Sequence, residues 1–169
     1  MTITPEAPAD VALAWMSRLE EHGDRTAIVT ADESLSYAEL ARRVDALAAR
    51  LAGHRRLVLV EARTTVESVV CYLAAMAAGH VVLLTAAGAR GPAQRLAEAY
   101  DPDIRLGPDG SVSVHRDESA HDLHPQLALL LSTSGSTGSA KLVRLSAENL
   151  AANTEQIARY LDIAPGDRA

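Results

Sequence analysis

Residues 57–84 read LVLVEARTTVESVVCYLAAMAAGHVVLL, and most of the architecture follows from them. Residues 57–60 (LVLV) and 81–84 (VVLL) are continuous apolar runs without polar alternation. Such runs belong to strands covered on both faces. Between them Val66, Val69, Val70, Leu73 and Met76 recur at helical spacing. Thr64, with Glu67 three residues on, predicts a capping box at the start of that helix, and Gly79 supplies its stop. A strand, a helix and a second strand in this order predict two parallel strands joined by a crossover. Residues 69–89 are long enough to raise the question of a membrane span. Much of that stretch is alanine, and Gly79 and His80 interrupt it where the spacing changes from helical to β-branched. A buried helix, a turn and a buried strand fit it better, so no membrane span is expected.

The same alternation continues on both sides. Residues 1–8 read as a loose tail, and Asp10 predicts the cap of a helix to about Glu20 that carries Val11, Trp15 and Leu19. Residues 27–30 and 34–36 flank a short turn and predict a hairpin. Ser36 and Glu39 form another capping box, and Leu40, Val44, Leu47 and Leu51 make one stripe of the helix that follows, closed by Gly53. Pro92 opens a shorter helix through Leu96 to about Tyr100. Ile104 to Leu106 is a weak strand, turned by Asp109-Gly110 toward Val112 and Val114. Residues 115–126 predict a surface loop. Residues 127–133 and 142–145 predict two further strands, and Ser146 caps a last helix carrying Leu150, Ile157 and Leu161. The fold class is therefore α/β, a mostly parallel sheet flanked by helices, in one unit over residues 1–169.

Composition excludes several functions. The chain has 169 residues, 48% of them hydrophobic, with no phenylalanine, so it can build a core of Ala, Val and Leu. Its net charge is −6 and its basic clusters are only pairs, Arg42-Arg43 and Arg55-Arg56, so no nucleic-acid partner is expected. The single cysteine, Cys71, lies on an apolar helix face and reads as a buried small hydrophobe. One cysteine and an N-terminus unlike a signal peptide point to a reducing compartment, the cytoplasm. His121 and His124 near Asp117 and Glu118 lack a further ligand cluster, so a solvated loop is expected there and no metal site. The letters His115-Arg116-Asp117 match part of a kinase loop without any of its surroundings and are read as chance.

Residues 132–141, STSGSTGSAK, are different in kind. They hold six hydroxyls, two glycines and one lysine directly after the apolar run LALLL. Glycines let a ligand approach the main chain, and amides and hydroxyls donate to anionic oxygens. Lys141 adds a mobile positive charge. This is the composition of a phosphate cradle, with a flexible Ser/Gly turn as the alternative. It is not the P-loop of nucleotide hydrolases, because Ala140 precedes Lys141, Leu142 follows it, and the next element is extended.

The stretch TSGSTGSAK at 133–141 resembles the signature loop of the adenylate-forming, or AMP-binding, synthetase superfamily, which includes acyl-CoA synthetases and the adenylation domains of nonribosomal peptide synthetases. LSYAEL at 35–40, YLAAMAAGHVV at 72–82 and LSAENL at 145–150 resemble other family segments in the same order. Two positions depart from the family pattern. Ala140 and Leu142 flank the lysine where proline and glycine are common, and Ala147 replaces a frequent histidine.

The resemblance implies the N-terminal fragment of an enzyme that joins a carboxylic acid to ATP, with Mg²⁺, and passes the acyl group to coenzyme A or a carrier-protein thiol. It implies that Thr133, Ser134, Gly135, Ser136, Thr137, Gly138 and Lys141 bind the β- and γ-phosphates. It also implies that the remaining catalytic residues lie beyond Ala169, which leaves this chain incomplete for catalysis alone. Two other readings stay open: a stand-alone nucleotide- or phosphate-binding module, and an interaction domain whose loop is only a turn.

Overall fold

The structure, a computed structural model, describes residues 18–88, 92–132, 142–164 and 167. Residues 1–17, which carry the expected tail and most of the expected first helix, fall outside that set. The described chain begins with a short 3₁₀ turn, Glu20–His22, ended by Gly23 at a left-handed φ of 54°. A two-stranded antiparallel hairpin follows, β1 (Thr26–Val29) with β2 (Ser34–Ser36).

Helix α1 (Tyr37–Leu51) starts where expected, with the Ser36 hydroxyl accepting from the Glu39 amide at 3.1 Å. The other half of the expected capping box does not form. The Glu39 carboxylate instead takes Arg42 and Arg43, at 3.0 Å for Arg43 Nε. Two guanidiniums one turn away are stronger partners than a neutral amide. Leu40, Val44, Leu47 and Leu51 are all buried, as the stripe predicts.

Next come β3 (Leu57–Ala62), α2 (Val66–Ala77), β4 (Val81–Ala86), α3 (Pro92–Tyr100), β5 (Ile104–Leu106), β6 (Val112–Val114), β7 (Leu127–Ser132), β8 (Leu142–Ser146) and α4 (Ala147–Tyr160). The α2 cap is one residue later than the sequence suggests. Thr65, not Thr64, accepts from the Ser68 amide at 3.3 Å, and the Ser68 hydroxyl in turn accepts from the Arg63 amide at 2.9 Å. Val66, Val70, Leu73 and Met76 then face the core, while Val69 turns away and is 38% exposed.

Six strands form one sheet in the order β6-β5-β3-β4-β7-β8. The inner four are parallel and the two edges antiparallel. Side-chain alternation along β3 and β4 explains their unbroken hydrophobicity. Val58, Val60 and Val82 pack with the stripes of α1 and α2, whereas Leu57, Leu59, Val81 and Leu83 pack with Leu96 of α3. Each such side chain contributes about 1.5–3 kcal/mol of burial. Residues 69–86 thus end one helix, turn at Gly79 and form β4. Among the described residues no helix is long and apolar enough to cross a membrane. α4 is different, because Ile157 and Leu161 of its expected stripe are 46% and 60% exposed.

Candidate functional site

The sheet has two unlike ends. At the carboxyl end of β7, Ser132 is the ladder partner of Leu142, the first residue of β8. The nine intervening residues therefore leave and re-enter the sheet at adjacent positions. Thr133, Ser134, Gly135, Ser136, Thr137, Gly138 and Lys141, the residues expected to bind phosphate, lie outside the described residues. In open α/β sheets ligands bind beyond the carboxyl ends of parallel strands, and this segment departs from such an end.

Among the described neighbours at that end are Glu61 and Thr85, ladder partners one residue before the ends of β3 and β4. Glu61 is paired with Arg105 of β5 at 2.7 Å, so the two charges neutralise each other. Sequence reasoning missed this pair, because 44 residues separate its members. Arg63, exposed and directly after β3, is a further cation at this end.

The amino end is closed by arginines. Arg55 donates to the carbonyls of Gly79 at 3.2 Å, Leu123 at 3.4 Å, His124 at 3.0 Å and Leu127. Arg56, 5% exposed, donates to Leu51 O at 2.8 Å and Arg116 O at 3.1 Å. Its backbone amide donates to His80 Nδ1 at 3.2 Å, and His80 Nε2 lies 2.8 Å from Leu51 O. Asp103, fully buried, accepts from the Leu57 amide at 2.9 Å, the Ala120 amide at 3.1 Å, the Ser119 hydroxyl at 2.8 Å and Arg116 at 3.4 Å. Burial pushes its carboxyl up, but the Leu57 and Ala120 amides and the Ser119 hydroxyl, with His121, outweigh that and hold it below the usual carboxylate range.

The loop 115–126, expected to be solvated surface, is thus tied down through its main chain. His121 Nε2 lies 3.0 Å from Asp101 O, and His124 Nδ1 accepts from the Gln126 amide at 3.3 Å. Arg116 pairs with Asp101 and Asp103, a structural role for the three-letter match noted above. Among the described residues no group of three His, Cys, Asp or Glu side chains could hold a metal ion. Cys71 is buried and its thiol is pushed up to about 11 by burial, then by Asp109 and Glu67, so it is no nucleophile.

An open cavity of about 410 Å³ also sits at the amino end of β7, lined by Asp122, His124, Leu127, Arg144, Ser146 and Asn149 among others. Ser146 and Asn149 already spend their side chains on the α4 capping box.

A family model described as AMP-binding enzyme matches residues 16–101. The chain belongs to that family. The match ends before the glycine-hydroxyl segment, so the reading of that segment rests on its own residues. Among solved structures, ATP-bound MatB from Rhodopseudomonas palustris is 27% identical, with a TM-score of 0.69 over 94% of this chain and 39% of that one. O-succinylbenzoate coenzyme A synthetase (MenE) from Bacillus subtilis, in complex with AMP, is 20% identical, with a TM-score of 0.70 over 90% of this chain and 47% of that one. The N-terminal subdomain of NpsA from Klebsiella oxytoca is 21% identical, with a TM-score of 0.58 over 84% and 42%. The fold is that of the N-terminal subdomain of adenylate-forming enzymes. This AMP-binding chain spans about two fifths of the length of the MatB structures it matches. No curated protein sequence matches it.

Proposed function

We propose that this chain supplies the pyrophosphate-binding part of an ATP-dependent, acyl-adenylate-forming ligase of the acyl-CoA synthetase type. The observation that supports the proposal is the ladder pairing of Ser132 with Leu142 at the carboxyl end of β7, the two residues that flank 133–141 in the sequence. The donor chemistry of 133–141 suits the group. Glycine-rich backbone, hydroxyls and one ammonium accommodate polyphosphate oxygens, whereas carboxylates there would repel them. In this reading Thr133, Ser134, Gly135, Ser136, Thr137, Gly138 and Lys141 receive the β- and γ-phosphates. Mg²⁺ arrives with the nucleotide, and none of the described residues is assigned to it.

The chemistry is the attack of a substrate carboxylate on the α-phosphorus of ATP, with pyrophosphate as the leaving group. The contribution of these residues is positioning and stabilisation of the charge that builds on pyrophosphate as it departs. The acyl group then passes to the thiol of coenzyme A or a carrier protein. Alone, the chain binds phosphate weakly and does not complete the reaction.

Titration with magnesium ATP and magnesium pyrophosphate, followed by calorimetry or NMR, tests the first part of this proposal. Saturable binding in the millimolar range, lost in Lys141→Ala, is expected. Absence of binding in the wild type would sink the assignment of the loop. A carboxylate-dependent exchange of pyrophosphate into ATP catalysed by this chain alone would overturn its incompleteness.

A further inference from the structure

His80 is among the buried titratable groups that the proposed reaction does not use. It is 2% exposed and stands in the turn between α2 and β4. Both ring nitrogens are engaged by the main chain. Nδ1 accepts from the Arg56 amide at 3.2 Å, and Nε2 lies 2.8 Å from the Leu51 carbonyl, which can only accept. The hydrogen-bond pattern therefore specifies the neutral tautomer protonated at Nε2. One ring joins the end of α1 to the start of β3, and Arg55 donates to Gly79, the residue before His80.

We propose that His80 is an acid-sensitive latch, closed while its ring is neutral, that releases the amino-terminal end of the sheet when the ring gains a proton. A proton on Nδ1 would face the Arg56 N–H, so an accepting contact becomes a clash between two donors. The pocket has no acceptor to spare. Arg56 Nε is already a buried nitrogen without a partner among the described residues. The charged groups that face the ring from the segment just before β3 are Arg55 and Arg56, both of which oppose a further cation. The one that favours it is Asp103, just before β5, and its carboxylate is already shared by Leu57, Ala120, Ser119 and Arg116. Arg116, from the 115–126 loop, adds its own positive charge beside that carboxylate. Burial is the largest influence on the ring and lowers its pKa below the ordinary value of 6.5.

The sign follows from linkage. The open state takes up a proton near the ordinary imidazole value and the closed state does not. Closure is therefore fully favourable above pH 6.5 and weakens as the pH falls below it, by up to about tenfold per unit. This inference does not depend on what the carboxyl end binds.

Hydrogen exchange between pH 7.5 and 5, corrected for the intrinsic pH dependence of exchange, reads the latch directly. In the wild type, opening of residues 50–58 and 115–127 should rise by up to about tenfold per unit. The carboxyl half of β3 and β4 should change less. His80→Asn keeps an oxygen able to accept from the Arg56 amide and cannot titrate, so its profile should be flat. Where that variant does not fold, NMR of the wild-type ring serves instead, with Nδ1 unprotonated in the closed state at every pH. Opening independent of pH, an unchanged rise in His80→Asn, or a protonated ring beneath a still-protected Arg56 amide would each overturn the proposal.

Discussion

The two ends of the parallel sheet are built on opposite plans. At the amino end, the charged side chains of Arg55, Arg56, Arg116 and Asp103 are turned inward onto main-chain groups. The irregular, mostly exposed loop 115–126 is held there through the main chain of Arg116, Ala120, Leu123 and His124. At the carboxyl end, Glu61 and Arg105 pair with each other, and Arg63 after β3 is exposed. The sequence that follows β7 there, residues 133–141, is composed mainly of glycines, hydroxyls and one lysine. At the amino end the fold uses its polar groups to close the structure; under the proposed function, those of the segment after β7 serve a ligand. The contrast also explains why a buried arginine need not mark a binding site.

Substitutions should separate the two plans. The largest effect is expected at Asp103. Asp103→Ala strands two backbone amides and leaves Arg116 one partner fewer, and should cost about 3–5 kcal/mol in chemical denaturation. A loss below about 1 kcal/mol would mean the amino end is not held this way. Arg55→Ala removes a donor shared by four carbonyls and should cost about 1–3 kcal/mol while raising proteolysis within 115–127.

Acid separates the same residues by pH. Because Asp103 is held below its ordinary 3.8, its stabilisation is complete above that value and disappears only as the pH falls below it. A loss of stability between pH 6.5 and 5 that disappears in His80→Asn would report His80, and loss below about 4 the carboxylates. A smaller effect sharpens the reading of α2. Thr65→Ala should cost about 1 kcal/mol as a lost cap, and Thr64→Ala almost nothing. The reverse result would restore the capping register suggested by the sequence.

Much of this was legible in the sequence for physical reasons. The runs at 57–60 and 81–84 can only be strands with both faces covered, and Leu40, Val44, Leu47 and Leu51 can only be one helix face. Those patterns are local and periodic, and the structure reproduces them. What stayed hidden is non-local. Asp103 joins Leu57, 46 residues away, to Ala120 through main-chain amides, which leave no mark on a sequence. The α2 cap was placed one residue early because Thr64 and Thr65 are chemically equal, and only the facing of Val66 against Val69 distinguishes them. The glycine-hydroxyl segment was legible as composition. Its boundaries, Ser132 and Leu142, turned out to be ladder partners, a pairing that no local pattern encodes.

The division of labour between the two ends can be tested by one paired titration. Magnesium pyrophosphate is added to the wild type, Lys141→Ala and Arg55→Ala under conditions where all three are folded, with thermal midpoints measured in parallel without ligand. Lys141→Ala should lose about tenfold or more in affinity with its midpoint unchanged, and Arg55→Ala should lose thermal stability with its affinity kept. Equal affinity in the wild type and Lys141→Ala, or a loss of affinity confined to Arg55→Ala, would contradict the account.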